Sequence, residues 1–302
     1  VADGINTTSE WENVIPTILS RARDVIEKPT VMTNAGVVTV VTLKDGDGTT
    51  FNWPKFGEQL EADTLEEGVP IARRQRLIPS PQQFTTTEVG VSVLMTDKAI
   101  RVTPEQMRAR AGHYMGNAVK RRNETDMLGM FGGLSRDLGS AGSPFSPGFL
   151  AAANNRLWAA SESGQGEPVE DIPVAILHPF HYHDILTSAA TLGSNIADST
   201  GFIPIEGLTE ELVRNYDIKR LYGTTMARAP LIAIDNQDDA ISAMFAKTAF
   251  LHVKTSHTLR TEKDRDIELR ANLMVMTTER GFGELEDQHG VKFTADASVP
   301  TG

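Results

Sequence analysis

Between Thr103 and Gly133 the chain reads TPEQMRARAGHYMGNAVKRRNETDMLGMFGG, with apolar positions at helical spacing. Met107, Ala111, Tyr114, Met115, Ala118, Thr125 and Leu128 form a narrow stripe. Arg108, Arg110, Lys120, Arg121 and Arg122 lie mostly off it. Thr103 is placed as an N-cap, Pro104 at the first helical position, and Gln106 completes a Thr-x-x-Gln capping box. Gly132 and Gly133 are expected to supply a left-handed stop. The helix between these signals would span about 42 Å at 1.5 Å per residue. A stripe this narrow predicts one face on a sheet and the other on solvent or a neighbour. Gly112, Gly116 and Gly129 cost helix stability and point to close backbone approach beside the sheet.

The rest of the chain alternates between two-residue and helical periods. Residues 1–36 read as an arm, with a Ser9/Glu12 capping box and a short apolar face from Trp11 to Ile26. VVTVVTL (37–43) and FTTTEVGVSVLM (84–95) read as strands, with TTFNWPKF between them after a turn at 45–48. Residues 54–80 form a polar tongue. Its first part carries Glu58, Glu61, Asp63, Glu66 and Glu67, and its second part Arg73, Arg74 and Arg76. Such a segment cannot build its own core. It reads as an extended two-stranded loop, either solvated or docked on a neighbouring copy through charge complementarity. Residues 134–147 are rich in Gly, Ser and Pro and read as a hinge or boundary. Helices are expected at 149–160, 180–190 and 208–218, and strands at 172–178 and 229–235. The C-terminal portion is largely β: MFAKTAFLHV, then HTLRTE and IELRANLMVMTTE across a Lys263-Asp264 turn, then GVKFTAD. The class is α+β, with an α/β module at 148–243.

Composition narrows the function. The 302 residues are 40% apolar, enough for a substantial core, and carry a net charge of −11. A protein that coats nucleic acid without regard to sequence should be basic. There is no cysteine, which excludes disulfides, thiolate metal sites and a cysteine nucleophile. No apolar run is long enough to span a membrane. P-loop, G-x-S-x-G and H-E-x-x-H motifs are absent, and GFGELE (281–286) lacks the third glycine of a dinucleotide fingerprint. The best metal candidate is the cluster of His178, His181 and His183. Positions 181 and 183 point to different faces of a helix, which favours capping or surface histidines. Asp235, Asp238 and Asp239 follow a strand as catalytic carboxylates often do, yet they suit a turn cap equally well.

Taken in order, arm, extended loop, spine helix, α/β module and terminal β segment resemble the major capsid proteins of tailed phages, the family with the HK97 fold. VAILHPFHYHDIL (174–186) looks like the family's strand and His-Pro helix start. Residues 217–234 look like its later axial strands, and 243–296, with Arg280-Gly281-Phe282-Gly283, like its closing peripheral strands. The resemblance implies an arm (1–36), a peripheral domain (37–147, closed by 244–302), an extended loop at 45–88, a spine helix at 103–133 and an axial domain at 148–243. It implies a structural subunit, not an enzyme, without metal or cofactor, assembling into pentamers and hexamers of an icosahedral shell. The shell would form in the bacterial host cytoplasm, become part of the virion, and enclose double-stranded DNA without sequence-specific binding or any membrane. Scaffolding and portal proteins would be separate partners, with decoration proteins an optional addition. Because the chain opens on the arm, a scaffolding segment is expected either to be cleaved or to be a separate protein. Lys44 and Lys55 are the lysines near the loop, and no residue pattern supports crosslinking. The loop's Glu58, Glu61, Asp63, Glu66, Glu67, Arg73, Arg74 and Arg76 are the expected inter-subunit contacts. The alternatives are an encapsulin-like cargo compartment of the same fold, and an α/β enzyme dependent on a metal at the three histidines.

Overall fold

The computed structural model describes residues 30–33, 36–56, 64, 67, 79–102, 105–159, 169, 171–195, 219–255 and 259–300. Two sheets and a separate two-stranded ribbon carry an α+β fold. The first sheet is built on β12 (Ala271–Glu284), whose length lets several strands share it. It pairs antiparallel with β4 (Thr87–Thr96), β11 (Arg260–Asp266) and β10 (Phe250–Thr255). β1 (Thr39–Leu43) joins parallel to β10. The second sheet runs β5 (Asp137–Gly139), β13 (Gly290–Asp296), β9 (Asp239–Phe245), β6 (Val174–Leu177), β8 (Thr224–Arg228), β7 (Arg220–Leu221). The central strand β6 is VAIL, apolar at every position because both of its faces are covered.

The spine helix α2 (Glu105–Leu128) follows a short α1 (Asp97–Val102). The expected cap at Thr103 and Pro104 lies outside the described residues. The expected stop is corrected: neither Gly132 nor Gly133 adopts positive φ. The helix instead tightens into a 3-10 turn at Gly129–Gly133 and leaves through an extended Leu134. The expected stripe is corrected as well. Tyr114 is 70% exposed, and Ala118 and Thr125 are exposed. The buried positions are Gly112, Met115, Gly116 and Val119 in the first half and Glu124, Met127 and Leu128 in the second. At 3.6 residues per turn these two sets lie about a third of a turn apart. Met115 and Val119 pack on Met274 and Met276 of the first sheet, while Met127, Leu128 and Phe131 pack into a different core. The buried face rotates because the helix crosses from one sheet to the junction of both. Phe131 sits there against Phe245 of β9 and Phe250 of β10, with ring centroids 5.6 and 6.0 Å away. Gly112 and Gly116 are on the buried face as expected, whereas a Cβ at Gly129 would touch nothing.

Three further expectations change. MFAKTAFLHV is not one strand: a 3-10 turn at Lys247–Ala249 passes the chain from β9 in the second sheet to β10 in the first. The hairpin turn lies at Ile267–Arg270 rather than Lys263-Asp264, with Arg270 at φ 49. APLIAID is no strand beyond an Ile234–Ala240 bridge. Ala229 N–H bonds Leu177 O, and Pro230 then has no donor to continue a ladder. The 208–218 helix lies outside the described residues. α3 (Pro147–Trp158) forms as expected, with the Ser146 hydroxyl accepting from Gly148 N–H and Pro147 at the first position. α3 and α4 (Pro179–Asn195) cover one face of the second sheet, around Phe145, Leu150, Leu177 and Ile185. The 134–147 segment is fastened, not loose. Its strand β5 pairs with β13, Gly142 N–H bonds Asp239, and Phe145 N–H bonds Asp184.

Candidate functional site

The ribbon of β2 (Thr50–Phe56) and β3 (Pro79–Thr85) is the base of the expected loop. Its pairing runs from Thr50↔Thr85 to Phe56↔Pro79. Seven residues per strand reach about 23 Å at 3.3 Å each. Phe51, Trp53 and Phe84 seat the base on Leu43, Leu251, Val253 and Leu285. The Lys55 ammonium sits 2.8 Å from Glu286, and Gln82 donates to Glu284 O at 2.7 Å. Thr86 ends the ribbon: its N–H and hydroxyl both bond Thr49 O, and the chain then enters β4. Of the expected contact residues, Glu67 is described and lies exposed in a turn. Glu58, Glu61, Asp63, Glu66, Arg73, Arg74 and Arg76 lie outside the described residues. All of them fall between Phe56 and Pro79, the last pair of the ribbon.

Each residue of the Arg-Gly-Phe-Gly run in β12 makes a contact of its own. A Cβ on Gly281 would lie 3.0 Å from Thr85 O, and one on Gly283 2.2 Å from the Phe84 ring. The two glycines therefore let the ribbon cross directly against the sheet. Phe282 points to the other face and meets His252 at 4.7 Å. Arg280, 3% exposed, reaches Asp126 of the spine helix at 2.7 Å. Its guanidinium also lies over the Phe282 ring, 4.9 Å from the centroid. Burial pushes its pKa down, and the Asp126 carboxylate opposes that push. Sequence reasoning missed Asp126 and Glu124. Glu124 is buried in mid-helix and accepts from Met32 N–H at 3.3 Å, which ties the start of the body to the spine. Burial raises its pKa. The only signal was a pair of carboxylates in a cationic helix.

The histidine cluster does not converge on a metal. His178 caps α4, its Nδ1 accepting from Phe180 N–H at 3.2 Å. His181 donates from Nε2 to Ala295 O and accepts at Nδ1 from the Ser242 hydroxyl, at 3.1 and 2.8 Å. Both ring nitrogens are thus engaged, and its ring stacks on Phe145. No group of three or more His, Cys, Asp or Glu suited to a metal occurs among the described residues. The aspartates serve a turn: Asp235 accepts from Gln237 and Asp239 N–H, and Asp238 holds φ 62.

These buried imidazoles make stability depend on pH. Burial and the neighbouring His181 lower the pKa of His178 to about 4. Burial, Lys254 and Arg280 lower that of His252 to about 3. The unfolded chain takes up these protons near pH 6.5. Between about 6.5 and the folded values the unfolded state holds more protons, so stability falls as pH falls. The contribution is complete above about pH 7, and the His178 part is lost by about pH 4. Denaturant midpoints are expected to drop from pH 7.5 to pH 5, with a shallower drop in His178→Asn, which keeps a capping acceptor. Equal slopes for the two proteins would contradict this assignment.

No protein-family model matches the chain, and no curated protein sequence matches it. Solved structures do. The capsid of Ralstonia phage GP4 superposes with TM-score 0.67 at 12% identity, covering 90% of each chain. The capsid of cyanophage P-SCSP1u gives 0.64 at 13% identity, covering 90% of this chain and 89% of that one. The SrpI encapsulin of Synechococcus elongatus PCC 7942, solved as its holo complex, gives 0.60 at 9% identity, covering 94% and 97%. The chain therefore has the HK97-type capsid fold.

Proposed function

We infer that this chain is the major capsid protein of a tailed bacteriophage, a non-enzymatic subunit that assembles with copies of itself into an icosahedral shell around packaged DNA. The observation that carries the reading is the likeness over about nine-tenths of the chain to phage capsid subunits, at matched length on both sides. The ribbon adds a physical reason. A two-stranded ribbon leading into a charged segment gains stability by lying on another copy. In this reading residues 37–147 and 244–302 build the peripheral domain around the spine helix. Residues 148–243 build the axial domain, with β5 and β13 completing its sheet. The acidic and basic halves of the loop, from Glu58 to Arg76, contact neighbours. Pentamers and hexamers, assembly in the host cytoplasm, and separate scaffolding, portal and decoration proteins belong to the same proposal.

A cargo compartment of the same fold is the second reading, favoured by the encapsulin likeness. Sedimentation velocity of the purified protein, alone and co-expressed with its neighbouring genes, separates the possibilities. A shell protein sediments as closed particles of very high mass. One fixed size loaded with an enzyme selects the compartment. Small discrete oligomers throughout would count against both readings.

A further inference from the structure

The first sheet and the spine helix form a plate whose two sides carry opposite charge. Met274 and Met276 of β12 face α2, so the alternate residues Leu273, Val275, Thr277 and Glu279 face away from it. Strand register extends this assignment across the sheet. Glu88 pairs with Glu279, Glu262 with Val275, and Asp264 with Leu273, so these acids share the far side. Arg260, opposite Thr277, is a cation on that side, and Lys44 lies in the turn at its rim.

The helix side is different. Lys263 and Arg265 of β11 pair with Met274 and Asn272 and so project toward it, Arg265 there forming an ion pair with Asp97 at 3.2 Å. On α2 itself Arg110, His113, Tyr114, Asn117 and Arg121 fall on one face, turned away from the sheet. Arg110 and Arg121 are exposed and form no ion pair among the described residues, while Arg122 is paired with Asp126. Tyr114 is 70% exposed between them, and Asn117 bonds His113 at 2.9 Å. Arg110 and Arg121 are about 16 Å apart along the axis. That distance spans about five phosphates of one DNA strand at 3.4 Å each. In a chain of net charge −11 this is a locally cationic face, and its complement is a polyanion.

We propose that the free face of the spine helix, through Arg110 and Arg121 with Tyr114 and Asn117 between them, contacts the phosphate backbone of duplex DNA, and that the acidic side of the plate faces away from it. The proposal rests on the shell reading for its biological setting, since a closed shell turns one side of each plate toward its contents. Binding would be independent of sequence and weak per subunit, with the effect summed over many copies.

The test is fluorescence anisotropy of a labelled duplex DNA of random sequence with purified unassembled subunits, from about 50 mM to about 200 mM salt. Wild type is expected to bind with a steep salt dependence. Arg110→Glu/Arg121→Glu is expected to lose at least about tenfold in affinity, with a log–log salt slope smaller by about 2. Arg260→Glu, on the far side, should leave affinity and slope unchanged. Arg110→Gln/Arg121→Gln serves if the reversal variant does not fold, with a loss in the same direction. Equal affinity for wild type and the helix variants, an equal loss in Arg260→Glu, or no salt-dependent binding by wild type would overturn the proposal. Displacement of the DNA by a peptide of residues 57–68 at equal concentration would overturn it too, assigning the stripe to a neighbour's acidic loop. Electron microscopy of the same preparations separates the two layers. Failure of wild type to form shells would count against the shell reading, while anisotropy on the subunits still decides the DNA face.

Discussion

Reversing Arg73, Arg74 and Arg76 together to glutamate is expected to leave a folded, soluble subunit that does not assemble. The three arginines precede Pro79 of the last ribbon pair, in a stretch of sequence too polar to build its own core. Among the described residues the body has its own cores, four apolar clusters around the two sheets. The charges therefore matter for what the loop touches. A unit pair at contact distance is worth about 1 to 4 kcal/mol between bulk water and a protein surface. Reversal turns each attraction into repulsion of similar size, so three reversals remove several kcal/mol from one subunit contact. Every 1.4 kcal/mol is about tenfold in affinity, and a shell repeats the contact many times. Size-exclusion chromatography should show subunits or small capsomers with a wild-type circular dichroism spectrum and melting temperature. Shells at wild-type yield would show that the basic half of the loop is solvated surface.

Gly283→Ala is expected to unseat the ribbon. The added methyl would lie 2.2 and 2.3 Å from two carbons of the Phe84 ring, and that ring is 5% exposed. The ring cannot swing into solvent without exposing Leu251 and Leu43, which it covers. Overpacking of this kind costs about 1–3 kcal/mol, which for a chain of this size lowers the melting temperature by roughly 2–4 °C per kcal/mol. The local effect should exceed the global one, because the strand that carries Phe84 also aims the loop. Protease cleavage near Thr85 and Thr86 should accelerate. Shortening the ring in Phe84→Leu/Gly283→Ala should recover part of the loss, giving a non-additive double-mutant cycle. An unchanged melt and cleavage rate for Gly283→Ala would mean that Phe84 has room to move.

Local patterning carried much of the fold. The existence of the spine helix, the terminal GVKFTAD strand and α3 could be read from helical spacing, β-branching and turn residues, because each is set by nearest-neighbour chemistry. What local patterning could not carry was context. The buried face of α2 turns as it passes from Met274 and Met276 to Phe245 and Phe250, so no single stripe describes it. The continuous MFAKTAFLHV run hides a change of sheet, since both strands are buried and neither alternates. The β11–β12 turn was misplaced because Ile267 and Leu269 are apolar yet lie exposed at its tip. At the candidate site the charge division of the loop is visible in sequence, but its seat is not. Gly281 and Gly283 explain themselves only once Thr85 and Phe84 cross them. Asp126 declares its role only when Arg280, distant in sequence, arrives beside it. The histidines followed local geometry: their spacing on a helix favoured capping over a metal, and a backbone N–H engages His178 while a serine and a carbonyl engage His181.

In the proposed closed shell, the ribbon of one subunit lies on another. Cryo-electron microscopy of particles purified after co-expression with the neighbouring genes tests it most directly. Hollow icosahedral particles of pentamers and hexamers are expected, with residues 50–85 of each subunit resting on an adjacent copy. Discrete small oligomers under every condition, or shells whose ribbons touch no neighbour, would contradict it.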